Sequence, residues 1–392
     1  MERIIFHVDV NNAFLSWTAI YLLKNGYKKD IRTIPSVIGG DEKLRHGIVL
    51  AKSPIAKKYG IVTAETLYSA RKKCHNLQVF SPNYAFYKEQ SKKLYNYLSS
   101  YTPNIEQYSI DECFLDLTGT KLLYGNDYLG LANKIKNDIK QKFGFTVNVG
   151  IGSNKLCAKM ASDFEKPDKV HTLYANEIKE KLWPLPVNDL FMVGKSTANT
   201  LKSLGIHTIG DLAKANSELL RKHFKNQADY LKRASLGIDD SIVESRKDQN
   251  KCLSVSRTLP YDHTNKEELI KVLKEEVEEL SFTLRKKKLY TKSIAITYKN
   301  YLFKSYSHQL TLLNPICSTN EIEKQVIFLL NESFREEPIR NIGIRFSDLT
   351  TSYEEQLSLF EPTTKKEDDI EKIMDELINK FGKNIIMRAS KK

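Results

Sequence analysis

The chain lacks any apolar run close to the ~20 residues that a membrane-spanning helix needs, so an integral membrane role is not expected. Cysteine is scarce: Cys74, Cys113, Cys157, Cys252 and Cys317 stand far apart, with no C-x-x-C pair among them. That scatter argues against a disulfide framework and against a zinc site of familiar spacing, and free thiols fit a reducing cytoplasm. There is no internal repeat and no long low-complexity tract. The opening MERIIFHVDV carries an acid at position 2 and moves directly into a strand pattern, so it does not read as a signal peptide.

What the sequence has in excess is positive charge. Lys and Arg number 61 against 48 Asp and Glu, a net +13, which favours a polyanionic partner. With 392 residues, 41% of them hydrophobic, the chain is expected to fold into two to four domains, since single cores rarely grow past roughly 250 residues.

Strand-like runs at 4–10, 48–51, 107–117 and 146–151 alternate with helical periodicity at 13–23, 86–100 and 128–143, which predicts an α/β or α+β catalytic domain in the first 165 or so residues. Lys166-Pro167 and Trp183-Pro184-Leu185-Pro186 break the pattern, and a compact helical segment follows to about Gly237. Polar residues 239–251 suit a linker. From Cys252 the order strand, helix (266–286), two strands (293–301, 305–313), helix (320–333), strand (342–349) predicts a βαββαβ module, read as a split βαβ unit.

The chemistry begins with carboxylates. Asp9 ends the apolar strand Ile4-Ile5-Phe6-His7-Val8, where a buried acid is costly unless something positive meets it. A strand-end Asp can equally be a structural cap. Support comes from Gln107-Tyr108-Ser109-Ile110-Asp111-Glu112-Cys113-Phe114, which predicts a hairpin with adjacent acids near its tip. Adjacent acids raise each other's pKa values unless a cation lies between them. Asp9, Asp111 and Glu112 together could hold two divalent ions about 3.5–4 Å apart for in-line displacement at phosphorus. Mg²⁺, which takes oxygen ligands and keeps its waters, suits such a site.

HVDVNNAFLSW, YSIDECFLDLTG, VGIGSNKLCAKMASDFEKPD and LFMVGKSTANTLKSLGIHTIGDL, in this order, resemble the Y-family translesion DNA polymerases of the DNA polymerase IV and UmuC type, in a bacterial or phage setting. The resemblance covers nearly the whole chain. It implies a right-hand polymerase with a ferredoxin-like palm (1–10 and 77–165), small fingers (11–76), a helix-hairpin-helix thumb (166–237), a linker (238–251), a βαββαβ little finger (252–352) and a tail (353–392). The metal-binding acids would be Asp9, Asp111 and Glu112, and Val10 would add a backbone carbonyl. Phe14 would be the steric gate that rejects a ribose 2′-OH by clash. Lys166 would reach the incoming triphosphate, and Ser53 and Lys57 belong to the segment that faces its phosphates. Pro54 and Lys57 replace the usual Tyr and Arg there, and Lys57 keeps the charge without the bidentate fork. Ala13 and Thr18 also depart from the usual aromatic and acid.

DNA would be gripped through thumb turns at Gly194, Lys195, Gly205 and Gly210, where backbone amides can approach phosphate. In the little finger the basic run Arg285, Lys286 and Lys287 would track the backbone. Gln356-Leu357-Ser358-Leu359-Phe360 resembles the motif by which bacterial polymerases bind the sliding clamp, with Gln356, Leu357, Leu359 and Phe360 as anchors. The expected partners are primer-template DNA, dNTP and the clamp, and the expected state is a cytoplasmic monomer using two Mg²⁺ ions. The implied activity is low-fidelity, template-directed translesion synthesis. Two other readings stay open: a nucleotidyl cyclase built on a similar palm, and a catalytically weak or inactive DNA-binding accessory factor of the same fold.

Overall fold

The computed structural model describes residues 3–245, 250–351 and 365–382. They form two compact units, Met1–Gly40 with Ile48–Lys247, and Asp41–Gly47 with Asp248–Lys392.

The first unit opens with strand β1 (Ile5–Val10), buried along its whole length, which runs directly into helix α1 (Ala13–Lys24). A small sheet follows: β2 (Ser36–Gly39), β3 (Val49–Lys52), the short helices α2 (Pro54–Lys58) and α3 (Leu67–Lys73), and β4 (Gln78–Phe80). Its strand order is β3-β2-β4. The chain then returns through α4 (Tyr84–Leu98), the hairpin β5 (Ile105–Gln107) and β6 (Glu112–Asp116), α5 (Lys121–Tyr124), α6 (Tyr128–Phe143), β7 (Val147–Gly152), α7 (Lys155–Asp163) and β8 (Val170–Leu173). These strands join in the order β5-β6-β1-β7-β8. Up to β7 this is the ferredoxin-like order expected of a palm, with β1 at its centre.

Residues with side chains on the two faces of that sheet explain its layers. Leu94, Leu98, Ile135 and Ile139, spaced at three or four along α4 and α6, pack with Val8, Leu115 and Val149. On the opposite face α7 lies directly on β7, and two glycines permit it. A Cβ at Gly150 would collide with the Ala158 carbonyl, and one at Gly152 would come within 2.6 Å of the Ala158 nitrogen. Helices α8 (Lys195–Ser203), α9 (Ile209–Lys214), α10 (Ser217–Phe224) and α11 (Ala228–Ser235) build a second core around Leu201, Ile209, Leu212 and Leu231, which α7 joins through Leu156, Cys157 and Met160. The stretch expected to begin a linker is anchored here: the Asp239 carboxylate accepts from the Leu156 amide at 3.1 Å, and Val243 packs with Ile5 and Phe114.

The second unit contains β9 (Cys252–His263), α12 (Lys266–Lys286), β10 (Tyr290–Asn300), β11 (Ser305–Ile316), α13 (Thr319–Ser333), β12 (Ile339–Thr350) and a final helix α14 (Lys365–Phe381). The βαββαβ order is as expected, but the strands lie β11-β10-β12-β9, not in the ferredoxin order. Sequence order alone carries no information on which strand becomes a neighbour. Here β12 pairs antiparallel with both β10 and β9 and so separates them. Leu269, Leu273, Val277, Leu280 and Leu284 form one stripe of α12 buried against this sheet, each contributing roughly 1.5–3 kcal/mol.

One acid interrupts that stripe. Glu276 is fully buried, and among the described residues neither of its oxygens has a hydrogen-bond partner. Burial pushes its carboxyl up from the ordinary 4.5 to about 8, against a smaller opposing pull from Arg257 and with Glu279 and Glu275 adding to the rise. A folded-state pKa above the unfolded one means the folded chain holds its proton longer. The contribution of Glu276 to stability is therefore full below about pH 4.5 and is lost as pH rises through about 8. At about 1.4 kcal/mol per tenfold in proton affinity, the loss is on the order of 5 kcal/mol at full ionisation. Thermal melts of Glu276→Gln should show less pH dependence between pH 5 and 9 than the wild type; parallel curves would contradict the neutral buried carboxyl.

Candidate active site

Strand pairing brings the acids together. Asp9 sits opposite Glu112 in the β1–β6 register, and the Val10 amide donates to the Asp111 carbonyl at 3.1 Å. The hairpin tip falls at residues 108–111, with the amides of Tyr108 and Ser109 both donating to the Glu112 carbonyl. Ser109 steadies Asp111 by donating its hydroxyl to Oδ1 at 2.7 Å. Burial is the main cause that raises both Asp9 and Asp111 above the usual carboxylate range; Lys166 and Lys159 at Asp9, and chiefly the Ser109 hydroxyl at Asp111, only partly offset it.

Two lysines stand where cations are wanted. Lys159, on α7, donates to Glu112 Oε1 at 2.5 Å and lies 3.6 Å from Asp163 and 4.0 Å from Asp9. Lys166 donates to Asp9 and pairs with Asp163 at 2.7 Å. Burial alone would lower both ammonium groups, yet their carboxylate partners hold them above the usual lysine value. Each carboxylate is thus drawn to its own partner, and among the described residues no three His, Cys, Asp or Glu side chains converge on one point. The donor set nevertheless fits a hard divalent cation: oxygen-only, buried at Asp9 and half-buried at Asp111 and Glu112, with Asp9 and Glu112 already meeting positive charge in the form of ammonium groups.

A polar network fixes the turn that carries Lys166. Asn11 donates to Asn148 Oδ1 at 3.0 Å and accepts from the Asp168 amide at 2.9 Å, while Asn148 donates to the carbonyls of Ser162 and Glu165. Sequence reading missed Lys159, Asn11 and Asn148. A lysine on a short helix reads as a snorkelling surface residue, and its partner Glu112 lies 47 positions away in sequence.

Phe14, the second residue of α1, is half-buried and stacked on Tyr87 with ring centroids 4.7 Å apart, with Tyr84 edge-on at 6.1 Å. The Thr18 hydroxyl hydrogen-bonds to Tyr87 Oη at 2.6 Å and donates to the Phe14 carbonyl at 2.7 Å. Thr18 therefore holds the aromatic pair at the place where an acid was the usual residue.

Several expected contacts are corrected. Ser53 is fully buried: its hydroxyl caps α2 by accepting from the Ala56 amide at 3.0 Å and also accepts from the Ser36 amide, so it is not presented to a substrate. Pro54 occupies the first position of α2, where a missing N–H costs nothing. Lys57 is exposed. In the helical segment, Gly194 is the N-cap of α8 and Lys195 its exposed first residue. The Gly205 amide donates to the Lys202 carbonyl and its φ of +77° serves the turn. The Gly210 amide donates to the Trp183 carbonyl, and a Cβ there would press on Trp183 at 3.1 Å. Gly205 and Gly210 are thus structural, and the expected phosphate contact narrows to Gly194 and Lys195.

In the second unit Lys286 and Lys287 are exposed, whereas Arg285 is not available to DNA. Its guanidinium forms a fork with Asp375 at 2.6 and 2.9 Å and also donates to Glu371, Thr319 and the Cys317 carbonyl. It therefore pins α14 to α12. Gln356, Leu357, Leu359 and Phe360 lie outside the described residues. No helix among the described residues is long and apolar enough to cross a membrane.

Residues 8–163 match the impB/mucB/samB family, residues 250–359 its C-terminal domain, and residues 175–206 its helix-hairpin-helix motif. DNA polymerase IV of Clostridium acetobutylicum is 48% identical over 99% of this chain and 98% of its own length. DNA polymerase IV 1 of Bacillus subtilis is 32% identical over 99% of this chain and 93% of its own. Among solved structures, a chimeric Y-family DNA polymerase superimposes with a TM-score of 0.77 at 24% identity, covering 89% of this chain and all of that one.

Proposed function

The chain belongs to the impB/mucB/samB family, the Y family of DNA polymerases, and on the premise that it is a DNA-directed DNA polymerase acting on DNA and dNTP we propose that it performs clamp-recruited translesion synthesis by two-metal-ion nucleotidyl transfer. The observation that carries the mechanism is the direct pairing of Asp9 with Glu112, beside Asp111, all three at the mouth of one sheet.

Asp9, Asp111, Glu112 and the Val10 carbonyl are the proposed holders of two Mg²⁺ ions. When bound, such ions lower the pKa of the attacking 3′-hydroxyl and neutralise charge on the leaving pyrophosphate. The chain's own residues do the remainder. Ser109 orients Asp111, and Lys159 donates to Glu112 and lies 4.0 Å from Asp9, bringing one positive charge to both carboxylates. Lys166 is the proposed triphosphate contact. Its ammonium, paired with Asp9 and Asp163, ends a flexible stem and is a point charge suited to phosphate oxygens. Phe14, held by Tyr87 and Thr18, is the proposed sugar gate. Lys57 supplies a further exposed charge, and Gly194, Lys195, Lys286 and Lys287 are the proposed backbone contacts to DNA.

The test is running-start extension on a template carrying an abasic site, with Mg²⁺, four dNTPs and a bacterial sliding clamp. Product beyond the lesion is expected, stimulated by the clamp. Deleting Gln356 to Phe360 should remove the stimulation and leave basal extension intact. Arrest of all primers at the lesion would overturn the bypass reading, and a deletion variant still stimulated would place clamp binding elsewhere.

A further inference from the structure

Between α4 and the tip of the β5–β6 hairpin lies a cavity of about 500 Å³ whose walls include Lys88, Ser91, Lys92, Gln107, Tyr108 and Ser109. One wall is a landmark of the site already described: Ser109 donates to Asp111. The cavity therefore adjoins the hairpin that bears Asp111, with the exposed Lys88 and Lys92 of α4 on its other side.

Its polar lining is arranged and only partly used. Lys88, Ser91, Lys92 and Tyr95 fall at three- and four-residue spacing and share one face of α4. The Gln107 side-chain amide donates to the buried Ser91 hydroxyl at 2.8 Å, which fixes the cavity floor. Tyr108 is held at the rim, edge-on to Phe114 at 5.5 Å and against Phe191 at 6.1 Å. Elsewhere on α4 Lys93 pairs with Glu89, but among the described residues neither Lys88 nor Lys92 has a carboxylate partner. Two unpaired ammonium groups one helical turn apart, about 5–6 Å at their Cβ atoms, suit the bracketing of one phosphate.

We propose that this cavity is a subsite for a backbone phosphate of the primer strand, with Lys88 and Lys92 as its cations and Ser109 as its link to Asp111. The proposal rests on reading Asp9, Asp111 and Glu112 as the acids at the primer end. A strand whose 3′-hydroxyl lies at those acids must carry its preceding phosphates away from them across a neighbouring surface. This cavity provides cations there, next to a hairpin whose own charge is negative. A phosphate held beside Ser109 fixes the distance between the primer backbone and Asp111. The same phosphate chemistry could come instead from free pyrophosphate or a dNTP, and the test separates these sources.

Binding of the full chain to a labelled primer-template would be followed by fluorescence anisotropy across a salt series, for the wild type, the double variant Lys88→Ala with Lys92→Ala, and the pair Lys88→Arg with Lys92→Arg. The alanine pair should bind roughly five- to tenfold more weakly, with a log–log salt slope shallower by about 0.9, and the arginine pair should behave as the wild type. Neutral methylphosphonates at single positions near the primer end should weaken the wild type at one position and leave the alanine pair unaffected there. Unchanged affinity and slope in the alanine pair would overturn the subsite. So would the same loss of coupling at a template phosphate, or a change confined to pyrophosphate inhibition and the dNTP KM. Extension by the wild type on the same duplex keeps the two readings apart: its absence would sink the polymerase site, whereas normal extension with unaltered binding sinks the subsite alone.

Discussion

Glu112→Ala is expected to reduce primer extension on the order of a thousandfold or more, the scale of several kcal/mol of transition-state charge stabilisation. The argument is local. Glu112 is the first residue of β6, opposite Asp9, and its carboxylate is committed to Lys159 and to no element of the core. Removing it leaves Lys159 within 3.6 Å of Asp163 and 4.0 Å of Asp9, so the buried ammonium keeps partners and the fold is not threatened. What is lost is one of the three carboxylates proposed to hold metal. Glu112→Gln, which keeps the shape and loses the charge, should fall nearly as far. Primer-template affinity, read by anisotropy without nucleotide, should change little in either variant. A verified Glu112→Ala protein that extends primers at near wild-type rate would remove Glu112 from the chemistry.

Phe14→Ala should lower the preference for deoxyribonucleotides over ribonucleotides by roughly a hundredfold, because a steric gate discriminates by clash and the clash disappears with the ring. The structure explains why the ring can act as a wall. Stacking on Tyr87 at 4.7 Å and edge contact with Tyr84 restrict its rotamers, and the Thr18 hydroxyl ties Tyr87 to the backbone of Phe14 itself. Phe14→Tyr should retain the selection, and Phe14→Ala should keep deoxyribonucleotide extension within about tenfold. The measurement is single-turnover insertion of a matched dNTP and rNTP opposite the same template base. Equal selection in wild type and alanine variant would rule out the gate.

The parts of this molecule that were legible in its sequence are those set by periodicity and by local order. Helices α6 and α12 occupy the residues their three- and four-residue spacing predicts, and the hairpin with acids near its tip follows from two β-prone runs around Asp111 and Glu112. Long-range consequences were not legible. Ser53 reads as a residue of the phosphate-facing segment, but the register of β2 brings the Ser36 amide to its hydroxyl and buries it. Gly210 reads as an open turn residue, but Trp183, 27 positions earlier by number, lies against it. Arg285 reads with Lys286 and Lys287 as one basic run. A helix rotates neighbours by about 100°, which sends Arg285 to Glu371 and Asp375 on α14 while the lysines face outward. The strand order β11-β10-β12-β9 was equally invisible, since a βαββαβ string is compatible with more than one set of neighbours.

The central claim is that Asp9, Asp111 and Glu112 jointly hold two divalent ions. Counting Mn²⁺ bound to the complex of protein, primer-template and a non-hydrolysable dNTP, by the loss of the free-ion EPR signal, tests it most directly. Two ions per wild-type complex and fewer than two in Asp9→Asn, Asp111→Asn and Glu112→Gln are the results expected. No more than one ion in the wild type, or two retained in all three variants, would contradict it.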